Sequence, residues 1–187
     1  VIQAAIQKTV AGHPFYQLFG EALLTVDFAL LVVVPLQVFL ALKYRHRVLL
    51  HSALMLSTVA GLLPPVLSRL FSNYVPGLMI TGPETVYLFE YSLVLGMACS
   101  AILGVLLYRL HQKDGWPWLL AAALSVFYYV MYATLGQTEI WHQVVLSSVN
   151  VKPLAAFICG VILGLLSCVL GWHWGHRKRV INQASLA

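Results

Sequence analysis

Three charged residues stand inside or beside long apolar runs, where water cannot solvate them: Asp27, Arg69 and Glu90. A charge left alone in hydrocarbon costs several kcal/mol, so acids and bases at that depth are expected to pair. The expectation is an interhelical ion-pair set, Asp27–Arg69–Glu90, with Glu21, Tyr87 and Tyr91 as hydrogen-bonding neighbours. Such a set either fixes the register of three helices or forms a ligand or proton site opening on one side of a membrane.

Histidines supply a second chemistry. His46, His51, His111, His173 and His176 gather near one set of segment ends. Haem held between two helices needs facing imidazoles at matched depth. His51 and His111 are the pair to consider, although His51 sits roughly 4.5 Å inside its segment and His111 lies beyond Arg109. A third arrangement is Glu139-Ile-Trp-His142, whose spacing puts a carboxylate and an imidazole on one helical face, as in di-metal bundles. Those bundles use the motif twice and add further carboxylates, whereas it occurs once here, with His13 and Glu84 as the nearby candidates. Interfacial histidines without a cofactor are therefore weighed against haem or metal. No nucleophile elbow, zinc-protease helix, phosphate loop or dinucleotide fingerprint occurs. Cys99, Cys159 and Cys168 have no metal-ligand spacing and read as buried, unpaired thiols.

The elements that position these residues are apolar. Of 187 residues, 60% are hydrophobic and only 9% charged, and the mean hydropathy is +0.85. A soluble domain carries about 25% charged residues, so most of this surface must face lipid. The runs give about five segments near the ~20 residues needed to cross the hydrocarbon: residues 21–42, 48–70, 86–110, 116–135 and 153–172. The expected organisation is an interfacial segment at 1–20, an all-α polytopic bundle of five spans over 21–173, and a basic, then polar, loosely ordered tail at 174–187. A short amphipathic helix is expected in the connector that holds Trp141 and His142.

Prolines and small residues shape those spans. Pro35 and Pro64-Pro65 remove backbone donors inside the first two, so carbonyls freed near Pro64-Pro65 need partners, either Ser57 or a neighbouring helix. Ser92, Gly96, Ser100 and Gly104 repeat every four residues in the third span; Ala156, Gly160, Gly164 and Cys168 do so in the fifth. Both stripes allow close helix approach, and both are expected to pack inward.

Eight of the eleven lysines and arginines (Lys43, Arg45, Arg47, Arg109, Lys113, Arg177, Lys178 and Arg179) fall on one side of the five-span topology. The positive-inside rule makes that side cytoplasmic, with the N-terminus outside and the C-terminus inside. Topology and anionic lipid account for the net charge of +5, leaving no basic face for nucleic acid.

The second span reads HSALMLSTVAGLLPPVLSRL from His51 to Leu70. It resembles a phrase close to "HKRLMLLATLALLPPALARL" in a group of uncharacterised bacterial multi-pass membrane proteins. His51, Leu54-Met55-Leu56, Leu62-Leu63-Pro64-Pro65, Leu67 and Arg69-Leu70 are in register, while Ser52-Ala53 replaces a basic pair. The resemblance implies a bacterial cytoplasmic membrane setting and brings no activity, substrate or cofactor. Three functions are then open: a non-enzymatic subunit packing against other membrane subunits or itself; a small-molecule or ion-binding or transport protein using the Asp27/Arg69/Glu90 pocket; and a haem or metal redox protein using His51 and His111.

Overall fold

The computed structural model describes residues 2–184, with side chains described through Gly175. Its elements are α1 (Ile2–Val10), α2 (Pro14–Lys43), α3 (Val48–Tyr74), α4 (Leu88–Leu110), α5 (Trp116–Ala133), α6 (Glu139–Ser148) and α7 (Pro153–Ala184). No strand occurs among the described residues. Five helical segments are long and apolar enough to span a membrane: Pro14–Lys43, Val48–Tyr74, Leu88–Leu110, Trp116–Gln137 and Pro153–Gly175. The chain is an all-α, membrane-embedded helix bundle. The short helix expected in the last connector is α6.

Two boundaries differ from the sequence reading. The first span begins at Pro14 rather than near residue 21, because Gly12, at φ 77°, ends α1 and proline then opens α2. The segment expected as a loose tail is helical as far as Ala184. Its lysine and arginines are good helix formers, and cations favour a helix C-terminus. The side chains of His176, Arg177, Lys178 and Arg179 lie outside the described ones.

Helix α4 is the packed centre. Ser92, Gly96, Ser100 and Gly104 are all buried, and each glycine receives a neighbour's backbone. A Cβ on Gly96 would stand 3.0 Å from the Pro64 carbonyl oxygen, and one on Gly104 would stand 2.8 Å from that of Trp118. So α4 approaches α3 at one level and α5 at another through the same stripe. Between them, Ser100 Oγ donates to the Ala60 carbonyl at 2.9 Å. Ala60 lies four residues before Pro64, so this is the carbonyl that the missing proline N–H leaves free. A neighbouring helix therefore supplies the partner. Ser57 is engaged elsewhere, donating to Leu54 O at 2.8 Å and accepting from buried Gln37 of α2 at 3.4 Å.

The second stripe does not pack inward. Gly160 and Gly164 have nothing within 4 Å of a built Cβ, and Ala156 and Cys168 are exposed. Helix α7 makes its extensive contact with α2, and two later glycines form it. A Cβ on Gly171 would lie 2.7 Å from Phe39 O, and one on Gly175 2.9 Å from Leu42 O. Arg45 fixes that end by donating to Trp172 O at 2.6 Å while its guanidinium lies 3.8 Å from the Trp172 ring centroid. The cysteine expectation fails for the same reason: Cys159 and Cys168 are exposed on this thinly covered helix.

Candidate functional site

Four helices enclose a cavity of about 200 Å³ at the end of the bundle away from Arg45 and Arg47. Each helix contributes one stripe at helical spacing: Gly20, Leu24 and Asp27 from α2, Pro65, Ser68 and Arg69 from α3, and Phe89, Leu93 and Met97 from α4. Helix α1 adds Ala5 to the wall. The aromatic part is a continuous cluster in which the Phe15 and Phe89 rings meet edge to face at 4.8 Å and Phe19 lies 5.5 Å from Phe89.

Asp27 and Arg69 both line this cavity. Among the described residues, the ion pairs within 4.0 Å are Arg47–Asp114 and Glu21–His142, so Asp27 and Arg69 do not touch. Neither side chain makes a hydrogen bond. Asp27 is half-buried and Arg69 exposed, so the acid and the base line a shared void more than 4.0 Å apart, the Arg69 charge acting on the Asp27 carboxylate through space.

The expected triad is not formed. Glu90 is exposed and absent from the cavity wall. One residue turns a helix by about 100°, and it is Phe89 that α4 buries. Tyr87 and Tyr91 share the outward face, 58% and 61% exposed, with ring centroids 6.5 Å apart. Glu21 also leaves the group. It lies six residues before Asp27, which places the two about 120° apart around α2.

Glu21 instead holds α6. Its carboxylate oxygen is 2.8 Å from His142 Nδ1, and its carbonyl accepts from Trp141 Nε1 at 2.7 Å. The hydrogen bond that the imidazole donates to Glu21, reinforced by the carboxylate's charge, pushes the His142 pKa above its usual value. Thr138 caps the helix by accepting from the Trp141 N–H at 3.3 Å. Beneath, Trp141 and Val145 of α6, Ile6 of α1 and Leu24 of α2 form one core cluster. Of the Glu139–His142 pair only His142 turns to α2, while Glu139 is exposed, and no group of three or more His, Cys, Asp or Glu able to hold a metal exists among the described residues.

His51 and His111 are held by different carbonyls. His51 Nδ1 is 2.8 Å from Ala41 O, tying the start of α3 to the last turn of α2. His111, exposed at the end of α4, lies 3.3 Å from Leu107 O of its own helix. The linkage among loops at this end comes from Arg47 and Asp114, 2.5 Å apart.

Sequence reasoning missed the Glu21–His142 pair and the aromatic wall. The wall had a signal, because Phe15 and Phe19 are four residues apart. The pair had none, since its members come from remote elements. No protein-family model matches the chain, and neither a curated protein nor a solved structure shows significant similarity to it.

Proposed function

We propose that this is a bacterial cytoplasmic-membrane protein that binds a small polar molecule carrying both an anionic and a cationic group in the cavity between α1, α2, α3 and α4. The supporting observation is that Asp27 and Arg69 face one cavity of about 200 Å³ without contacting each other. Separated opposite charges at membrane depth are expensive unless something bridges them. A zwitterion with an ammonium toward Asp27 and a carboxylate or phosphate toward Arg69 satisfies both, while Phe15, Phe89 and Leu93 cover its apolar part. By the distribution of lysine and arginine, the cavity opens toward the outside, with the N-terminus outside and the C-terminus in the cytoplasm. The test is calorimetric titration of the detergent-solubilised protein with a panel of free amino acids and betaines. Arg69→Leu should weaken the binding member about tenfold or more, the worth of one charge-assisted hydrogen bond. A panel with no binder, or equal binding by Arg69→Leu, overturns the reading.

A second reading, a subunit of a larger membrane complex, is favoured by α7. Its outward face (Ile158, Ile162, Leu165 and Val169) is exposed and lies opposite the side turned to α1 and α2. Purification in gentle detergent tests it: a co-migrating membrane protein supports the reading, and a stable lone chain counts against it.

A further inference from the structure

A furrow follows the seam between α4 and α5, and small residues make it. A Cβ on Gly104 would lie 2.8 Å from Trp118 O and 3.0 Å from Ala122 Cβ, so the two backbones come close. Ala101, Ala122 and Ala123 leave a hollow along that contact, and Ile102, Leu106 and Val126 stand beside it with their side chains exposed. The hollow has a volume of about 510 Å³, and Arg109 is the last residue of α4 to line it. A smaller hollow of about 150 Å³ shares Ala101 and Val126 and carries the furrow on to Val94. Ala101 and Arg109 are eight residues apart, about 12 Å at a rise of about 1.5 Å per residue. That is most of one leaflet, which is half of the ~30 Å of hydrocarbon.

The cation in this wall is unengaged. At the same end of the bundle Arg45 donates to Trp172 O and Arg47 pairs with Asp114. Arg109 is exposed and lines the furrow, and among the described residues it makes no hydrogen bond, ion pair or ring contact. Trp116 opens α5 three residues before Leu119, which places both on one helical face, and it is 40% exposed. Its indole N–H also donates to no described residue. Tryptophan and arginine both suit the headgroup boundary, the arginine with its stem along apolar surface. No carboxylate lines either part of the furrow. One end thus offers an accessible guanidinium and an N–H donor, and the rest offers hydrocarbon.

We propose that the α4–α5 furrow is a binding site for an anionic phospholipid, whose phosphate meets Arg109 and one of whose acyl chains lies over Ala101 and Ala123. The occupant has to bring a negative group at the boundary and about 12 Å of hydrocarbon below it. A phospholipid does both and enters directly from the surrounding leaflet. The planar guanidinium suits a phosphate, which it can hold through two parallel N–H bonds. With no carboxylate in the wall to attract a headgroup ammonium, phosphatidylglycerol is favoured over phosphatidylcholine, whose quaternary ammonium brings a second cation toward Arg109. A partner helix would cover the hydrocarbon but would still have to supply an acid at the level of Arg109. None of the residues lining the Arg109 end lines the Asp27–Arg69 cavity, so the site stands whatever that cavity binds.

Native mass spectrometry of the full chain, released from vesicles of phosphatidylglycerol and phosphatidylcholine in equal amounts, tests the assignment. The wild-type chain should retain phosphatidylglycerol in preference to phosphatidylcholine. Arg109→Gln should lower that retention about fivefold, the contribution of one basic residue at a membrane surface. Lys113→Gln removes a charge from the same end, exposed but outside the furrow wall, and should lower it by less than about twofold. Ala123→Phe should displace the chain by filling the furrow; the position is exposed, so the variant should fold, with helical content checked by circular dichroism. Four results would each overturn the proposal: no phosphatidylglycerol on the wild-type chain, equal losses in Arg109→Gln and Lys113→Gln, undiminished retention by Ala123→Phe, or a second copy of the chain bound in place of lipid.

Discussion

Glu21 and His142 meet at 2.8 Å across 121 positions of sequence, and that contact fastens the surface helix α6 to the first span. Because the bond raises the His142 pKa from its ordinary 6.5, it makes docking of α6 depend on pH. A raised folded-state pKa means that the contribution is fully present below the unfolded value and is lost as pH rises through the folded value. We expect amide exchange in α6 to slow as pH falls toward 6.5, after correction for intrinsic exchange rates, and to quicken above the raised pKa. Glu21→Gln should return the His142 titration, read by NMR, toward 6.5. An unchanged titration in that variant would show that Glu21 is not the cause.

The two small-residue stripes should respond oppositely to the same change. Gly104→Ala places a methyl 2.8 Å from a backbone oxygen of α5 and 3.0 Å from Ala122 Cβ, and backbone cannot give way cheaply. Overpacking of this kind costs about 1–3 kcal/mol. Gly164→Ala meets nothing within 4 Å and should leave stability unchanged or slightly higher, since alanine is the better helix former. Unfolding by a denaturing detergent, followed by circular dichroism, reads both.

How much of this was legible depends on the range of the signal. Five spans and the helix in the last connector follow from composition and pattern, and Asp27 and Arg69 stand out as charges against an apolar background. Rotation about a helix is less legible: choosing Phe89 over Glu90 as the inward residue is a matter of 100°, and both adjoin plausible neighbours. The Gly160–Gly164 stripe shows that close packing is sterically allowed there, but periodicity does not name the helix that would use it. Gly171 and Gly175 carry the contact instead because Phe39 and Leu42 of α2, and Arg45 just beyond its end, lie opposite them. The Glu21–His142 bond leaves no local trace at all.

Ser100 and Ser125 should differ although they are hydrogen-bonded at 3.1 Å. Ser100→Ala strips the partner from Ala60 O, the carbonyl freed by Pro64, and should cost about 1 kcal/mol. Ser125→Ala should cost less, because Ser100 keeps its bond to Ala60. The Ser125 hydroxyl has its own alternative acceptor, Ala121 O at 3.1 Å, so it is not orphaned when Ser100 is removed. Equal losses in the two variants would mean that the proline carbonyl is not the point of the network.

Asp27→Asn and Glu90→Gln together separate the cavity from the triad expected by charge alone. Asp27 and Arg69 line the cavity, while Glu90 lies outside it, exposed. Asp27→Asn keeps the size of the side chain and removes its charge, so it should weaken a zwitterion about tenfold or more by loss of a charge-assisted hydrogen bond. Glu90→Gln removes an equal charge from the outward face of α4, where water, lipid headgroups and salt screen it, and should change affinity by less than about twofold. The comparison is made by calorimetry on both variants in one detergent, with helical content confirmed by circular dichroism. If Glu90→Gln weakens binding as much as Asp27→Asn, the ligand sits on the outer face of α4, and the cavity between α1, α2, α3 and α4 is not its site.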